Sequence, residues 1–374
     1  MSLQQKISGD GSKKILALDG GGIRGMITVE VLKEIEELLR KETGGDKEFV
    51  LADYFDYISG TSTGAIIAAA LSLGWSVDKI HAFYIKSGEQ MFDKASLLKK
   101  FKYQYEDKAL KKMLKKEFGP KTTLGSKNLK TLLMMVMRNS TTDSPWPVCN
   151  NPGAKYNSRK RDDCNLDLPL WQLVRASTAA PVYFPPEKVP IGKNNFIFVD
   201  GGITTYNNPS FQTFLMATLG PYNLGWGTGE DKLLIVSVGT GTSPDANADL
   251  SPNQMNLLYN ASSLPSALMY AALNEQDLLC RVFGNCLCGD ELDREIGDLI
   301  DKKGAMKRPV TSKLFTYVRY NAELSRNGLD KLGLTKINPE DVQKLDSVAN
   351  INELQEVGQA VAKKVTKAHF GKFV

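Results

Sequence analysis

Three apolar runs in the chain each break into a glycine-marked turn, and this recurrence constrains the fold more than any other feature. Ile15 to Leu18 ends in Asp19-Gly20-Gly21-Gly22-Ile23-Arg24-Gly25, Tyr57 to Ser59 enters Gly60-Thr61-Ser62-Thr63-Gly64, and Phe196 to Val199 ends in Asp200-Gly201-Gly202. After the first turn a helical period begins, with Val31, Ile35, Leu38 and Leu39 on one face. After the second, Ala65 to Leu71 reads as a buried helix of small residues ended by Gly74. Strand, glycine turn and helix in succession point to an α/β sheet with mostly parallel strands, helices on both faces, and function at the strand C-terminal ends.

Further strands are expected at Leu132 to Met137, Leu233 to Val238 and Leu314 to Arg319. The stretch Asn139 to Asp167, rich in Asn, Pro, Asp and Ser, reads as a long hairpin or loop excursion, and Gly220 to Glu230 as another loop. A closing amphipathic helix is expected from Asn352 to His369, with Leu354, Val357, Val361 and Val365 on one stripe. Hydrophobic residues make up 42% and charged residues 24% of the 374, which is ordinary globular usage and excludes fibrous and low-complexity classes. No internal repeat or linker divides the chain. The organisation expected is a flexible N-terminus over 1–14, one domain over 15–320, and a helical elaboration over 321–374 packed on the same domain.

Five cysteines, an odd number in so long a chain, do not make a disulfide framework, and a reducing, cytoplasmic setting is the simpler expectation. Cys286-Leu-Cys288, with Cys280 upstream, lacks the CxxC spacing of zinc sites, and only two histidines exist to complete a ligand set, so no metal is expected. The polar N-terminus has no apolar signal-like core, and the longest apolar-leaning run, Ala65 to Trp75, falls short of the roughly 18 residues that span a bilayer. A soluble protein able to sit peripherally on a membrane is expected.

The middle turn matches GxSxG between a strand and a helix. That is the context of a nucleophile elbow, where flanking glycines permit the sharp turn and Ser62 projects its hydroxyl at the mouth of the sheet. A serine needs a base. His81 falls inside a helical pattern and His369 lies five residues from the C-terminus, so neither sits on the loop a Ser-His-Asp triad requires. A partly desolvated carboxylate can take the role, and Asp200, ending its strand before two glycines, is the candidate. The run Gly20 to Gly22 at the head of a helix offers backbone N–H donors for an oxyanion. Arg24 adds a positive charge that either orders this loop, faces anionic head groups, or is simply solvated or salt-bridged.

With these motifs in this order, the sequence resembles the patatin-like phospholipases, which share a DGGGxRG loop, a GxSxG serine and a DG[GA] aspartate. The resemblance runs from Ile15 to Asn208 and includes Leu51-Ala-Asp-Tyr-Phe-Asp-Tyr57 and Ala176-Ser-Thr-Ala-Ala-Pro-Val-Tyr-Phe-Pro185. It implies a three-layer α/β/α fold and hydrolysis of acyl esters in phospholipids, lysophospholipids or related lipids, without metal or cofactor. Carried over residue by residue, it implies Ser62 as nucleophile, Asp200 as base and the Gly20, Gly21 and Gly22 amides as oxyanion donors. Arg24, Gly25, Gly60, Gly64, Gly201 and Gly202 complete the supporting motifs.

Two readings from other classes stand beside this one. A phosphate-binding ATPase or kinase would use Asp19 and the glycine loop, and a catalytically silent or activator-dependent lipid-binding module would keep the fold without turnover. The segment Lys94 to Lys121 carries a net charge of +7 against +5 for the whole chain. A solvated helical face is the default reading of such a run, but interleaved residues such as Phe101, Tyr103, Leu110, Leu114 and Phe118 also suit docking on an anionic membrane surface. Nucleic acid is not an expected partner, since no nucleic-acid module is present. The sequence leaves oligomeric state, head group and acyl position open.

Overall fold

The computed structural model describes residues 2–8, 11–92, 103–181, 183–243, 257–302, 306 and 310–374. Its strands are β1 (Lys13–Leu18), β2 (Tyr57–Thr61), β3 (Leu132–Asn139), β4 (Ser144–Cys149), β5 (Glu187–Ile191), β6 (Asn194–Asp200), β7 (Leu233–Val238), β8 (Asn285–Cys288) and β9 (Thr316–Tyr320). They form one sheet in the order β5-β6-β3-β2-β1-β7-β9-β8, with β4 on the far edge of β3. The run from β3 to β8 is parallel throughout, and β4, β6 and β5 are the antiparallel additions. The mostly parallel α/β sheet expected from the sequence is therefore the observed one.

The helices are α1 (Leu3–Ser8), α2 (Gly25–Glu42), α3 (Leu51–Tyr54), α4 (Thr63–Ser72), α5 (Val77–Phe92), α6 (Tyr103–Phe118), α7 (Leu170–Ser177), α8 (Ser210–Thr218), α9 (Leu257–Phe283), α10 (Arg326–Lys331), α11 (Pro339–Gln343) and α12 (Ile351–Ala362). Strand side chains alternate between two faces, and the core divides accordingly. Leu16, Leu18, Ile58, Leu133, Met135, Val236 and Val318 pack with α2, α4, α5, α7 and α12. Ile15, Tyr57, Leu132, Met134, Ile235 and Tyr317 pack with α8 and α9. Helix, sheet and helix make three layers. Buried on both sides, the central strands read as continuous apolar runs rather than alternating ones.

Two expectations differ from what is seen. Within the N-terminal stretch expected to be flexible, residues 3–8 form a helix whose buried Lys6 donates from Nζ to the carbonyls of Ala52 and Phe55. The closing helix stops at Ala362 rather than His369: beyond it the ladder tightens to bonds spanning three residues, from the Lys364 N–H to the Val361 carbonyl and the Val365 N–H to the Ala362 carbonyl, and Thr366 then takes an extended backbone (φ −139°, ψ 155°). From the closing part of the chain, α12 packs on α2. Gly358 of α12 lies so close to α2 that an added methyl would crowd Glu30, and Leu354, Val357 and Val361 are fully buried.

One feature of the sheet creates the site. β3 outlasts β2: Thr61 pairs with Val136, and the next residue of β3, Met137, pairs on that same edge with Asp200 of β6. The C-terminal ends of β2 and β6 therefore meet head to head along β3. The residues that follow or end them, Ser62 and Asp200, are driven together.

Candidate active site

Ser62 has φ 55° and ψ −122°, a conformation that costs a non-glycine residue on the order of 1–3 kcal/mol and places its side chain at the mouth of the sheet. The turn is possible because its flanks carry no side chains. A methyl group on Gly60 would overlap the Gly64 carbonyl, and one on Gly64 would overlap the Leu18 carbonyl and stand 2.7 Å from that of Asp19. The Ser62 N–H donates to Ser177 Oγ at 3.0 Å, and Ser177 Oγ donates to the Val136 carbonyl at 2.6 Å. That relay fastens the strained elbow to β3.

Ser62 Oγ donates to Asp200 Oδ2 at 2.6 Å, while Asp200 Oδ1 accepts the Gly202 N–H at 2.6 Å. The carboxyl is 4% exposed, and burial pushes its pKa up from 3.8 to about 6. The Ser62 hydroxyl, the Gly202 amide and the buried Arg175 guanidinium hold it from rising further. Arg175 is itself fixed by a 2.8 Å bond to the Pro185 carbonyl. A carboxylate in this range is charged at neutral pH yet basic enough to accept a proton.

A family model of patatin-like phospholipases matches residues 16–213, more than half of the chain. The chain belongs to the patatin-like phospholipase family. It is 27% identical to Patatin-15 of Solanum tuberosum over 248 residues, which is 62% of this chain and 61% of that protein. It is 30% identical to an intracellular phospholipase A2 of Caenorhabditis elegans over 250 residues, 63% of this chain but only 21% of that protein. The matched region thus spans about six-tenths of the patatins and a fifth of the longer enzyme. Among solved structures, VipD from Legionella pneumophila aligns with a TM-score of 0.41 at 14% identity, covering 96% of this chain and 67% of that one.

The glycine loop of this patatin-like chain divides its amides. The Gly20 N–H donates to the Asn207 carbonyl at 3.2 Å, so the expectation of three free oxyanion donors is not met: one is already spent. Among the described residues, the Gly21 and Gly22 N–H groups have no partner, as befits the first amides of the short helical turn Gly22–Arg24 that leads into α2. Gly25 opens α2 beneath Thr63 and Tyr84, and Gly201 lies against the Val136 carbonyl. Arg24 is buried, not solvated, and donates to the Gln343 carbonyl at 3.3 Å, while Ile23 N–H donates to the Leu345 carbonyl at 2.9 Å. The segment before α12 is thereby laced to the loop. Burial brings the Arg24 guanidinium down to about 10.

Both histidines are engaged elsewhere. His81 Nε2 lies 3.2 Å from Glu30 Oε1, and His369 Nδ1 lies 2.9 Å from the Tyr320 hydroxyl. Asp19, the carboxylate a phosphate-loop enzyme would need, is 1% exposed and accepts hydrogen bonds from the two terminal guanidinium nitrogens of Arg319. Of the basic segment, 93–102 lies outside the described residues. In its described part, Leu110, Leu114 and Phe118 are buried in the core, whereas Lys112, Lys116 and Lys121 are exposed. Those three apolar residues are thus accounted for by core packing. Two groups beside the dyad gave no sequence signal of their role: Ser177, whose hydroxyl links two elements far apart in sequence, and Asn207, which only folding brings to the glycine loop.

Proposed function

We propose that the chain is a lipid acyl hydrolase of the phospholipase A or lysophospholipase type, cleaving carboxylic esters of membrane lipids through a Ser62 acyl-enzyme. The observation that carries this reading is the 2.6 Å bond from Ser62 Oγ to a buried Asp200 whose basicity is raised, at an elbow strained to present the serine. As Ser62 Oγ attacks the ester carbonyl carbon, its proton passes to Asp200 Oδ2, and the Gly21 and Gly22 amides receive the charge that develops on the carbonyl oxygen. Collapse of the tetrahedral intermediate breaks the ester C–O bond, and Asp200 returns its proton to the leaving alcohol. Water then attacks the acyl-enzyme, with Asp200 again the base, and releases the fatty acid. Family membership and the phospholipase A2 relative favour a lipid ester as substrate.

The exposed lysines of α6, with Lys121 beyond it, give an anionic membrane surface a place to dock, each worth about 1 kcal/mol near such a surface. Co-sedimentation with vesicles should then weaken with salt and with removal of anionic lipid. Binding insensitive to both would exclude that docking mode. For the chemistry, Ser62→Ala should abolish fatty-acid release from mixed phospholipid vesicles and labelling by a fluorophosphonate, with thermal unfolding preserved. Retained hydrolysis in that variant would refute the assignment.

A further inference from the structure

The two free amides of the glycine loop are aimed by the bonds that their own peptide planes make. In a trans peptide the C=O and the N–H point in opposite directions, so a bond that fixes one residue's carbonyl also sets the direction of the next residue's N–H. The Gly22 N–H is set locally, since the Gly21 carbonyl accepts the Arg24 N–H at 3.2 Å. The Gly21 N–H has no such local tie. Its plane is fixed from across the fold, where the Gly20 carbonyl accepts a hydrogen bond from Thr240 Oγ1 at 2.9 Å. Turning that plane changes only ψ of Gly20 and φ of Gly21, and neither residue has a Cβ to resist. The Asn207 carboxamide, whose Oδ1 lies against Gly20, makes no bond among the described residues. Thr240 is then the one side chain among them that hydrogen-bonds the backbone of Gly20 to Gly22.

Thr240 is itself held firmly. It is 1% exposed and sits just beyond β7, where the Gly239 N–H donates to the Tyr320 carbonyl at 2.8 Å and the Gly239 carbonyl accepts the Thr28 hydroxyl at 2.9 Å. The Gly241 N–H donates to Asn321 Oδ1 at 2.9 Å, and branching at Cβ restricts the threonine rotamer. Its hydroxyl bonds neither Ser62 nor Asp200. We infer that Thr240 is a positioning residue, its hydroxyl locking the Gly20–Gly21 peptide so that the Gly21 N–H stays turned out of the loop for the ester oxygen. This rests on the acyl-hydrolase reading above and adds a residue to it. A buried carbonyl that loses its donor is driven to find another, and turning the plane to do so carries the Gly21 N–H away with it.

The test compares wild type, Thr240→Val, which keeps the shape and removes the hydroxyl, and Thr240→Ser, which keeps the hydroxyl. The readouts are kcat and KM on a short-chain p-nitrophenyl ester and the rate of fluorophosphonate labelling, taken at a temperature where thermal unfolding shows each protein folded. For valine, kcat and the labelling rate should fall at least tenfold, up to the 10²- to 10³-fold loss typical of one removed oxyanion donor, with KM within about threefold of wild type. Serine should recover both rates to within about fivefold of wild type. Should the valine protein not fold, Thr240→Cys, with a weaker donor in the hydroxyl's place, should lose at least tenfold in the same two rates. Valine (or cysteine in its stead) within threefold of wild type would overturn the inference. So would serine as slow as valine, or a loss carried by KM with kcat kept. A wild type that neither takes label nor hydrolyses ester would remove the acyl-hydrolase reading and this inference with it, whereas a labelled wild type with an equally fast valine variant would remove this inference alone.

Discussion

Asp200→Asn should make the protein more stable at pH 8 while removing its activity. In the folded chain Asp200 is buried, and its pKa is pushed up from 3.8 to about 6. Below pH 3.8 both folded and unfolded chains hold the proton, and the carboxyl costs nothing as a charge. Between 3.8 and about 6 the unfolded chain releases its proton and the folded chain keeps it, so stability falls as pH rises; above 6 the full penalty of a buried charge is in force. At about 1.4 kcal/mol per tenfold change in proton affinity, the gap corresponds to roughly 3 kcal/mol. An asparagine escapes the penalty. It can still accept the Gly202 N–H and can donate to Ser62 Oγ in place of accepting from it, at a cost of about 1 kcal/mol for weaker hydrogen bonds. The net expectation is a gain of about 2 kcal/mol at pH 8 that vanishes by pH 4. Thermal and urea unfolding of wild type and variant, each pair at the same pH, reads this directly, since titrations elsewhere cancel in the comparison. A variant less stable than wild type at pH 8 would refute the argument, because it would mean that the fold favours the charged carboxylate.

Other consequences follow from the same geometry. On a soluble ester, kcat/KM should rise with pH through about 6 and level off above it, because only ionised Asp200 accepts the Ser62 proton; activity that increased below pH 6 would assign the base elsewhere. Ser62→Gly should unfold later than Ser62→Ala by the equivalent of about 1–2 kcal/mol, since glycine relieves the strain at φ 55° and alanine keeps it; both should be inactive in vesicle hydrolysis. Ser177→Ala leaves the Ser62 N–H and the Val136 carbonyl without their shared hydroxyl, and should cost about 1–3 kcal/mol in unfolding together with a drop in kcat measured on the same ester. Arg319→Met strands the buried Asp19 carboxylate and should cost about 3–5 kcal/mol, most visibly at high pH where the carboxyl cannot escape by protonation.

What the sequence reveals and conceals has a physical pattern. The central strands β1, β2, β3, β7 and β9 are legible because burial on both faces makes them apolar runs. The strands it hides are at edges. β4 carries Pro145 and Pro147, and β5 carries Pro190, residues that argue against a central strand yet are tolerated where one side of the backbone needs no partner; β8 has only four residues. At the site, Ser62 and Asp200 stand out because each sits in a local glycine signature that the sharp turn demands. The Ser177 relay, the spent Gly20 amide and the unpaired Asn207 carboxamide depend on residues 115, 187 and 145 positions from their neighbours at the dyad or loop, and no local pattern encodes such meetings. The lacing of Leu345 and Gln343 to the glycine loop is hidden for the same reason.

The central claim is that Ser62 carries the acyl group. Rapid mixing with phospholipid vesicles, acid quenching within the first turnovers and peptide mass mapping test it directly. The account predicts a fatty-acyl mass on the peptide that bears Ser62, absent from the Ser62→Ala protein, which should also release no fatty acid. Fatty acid released by the wild type with the adduct on another residue, or released equally by Ser62→Ala, would contradict it.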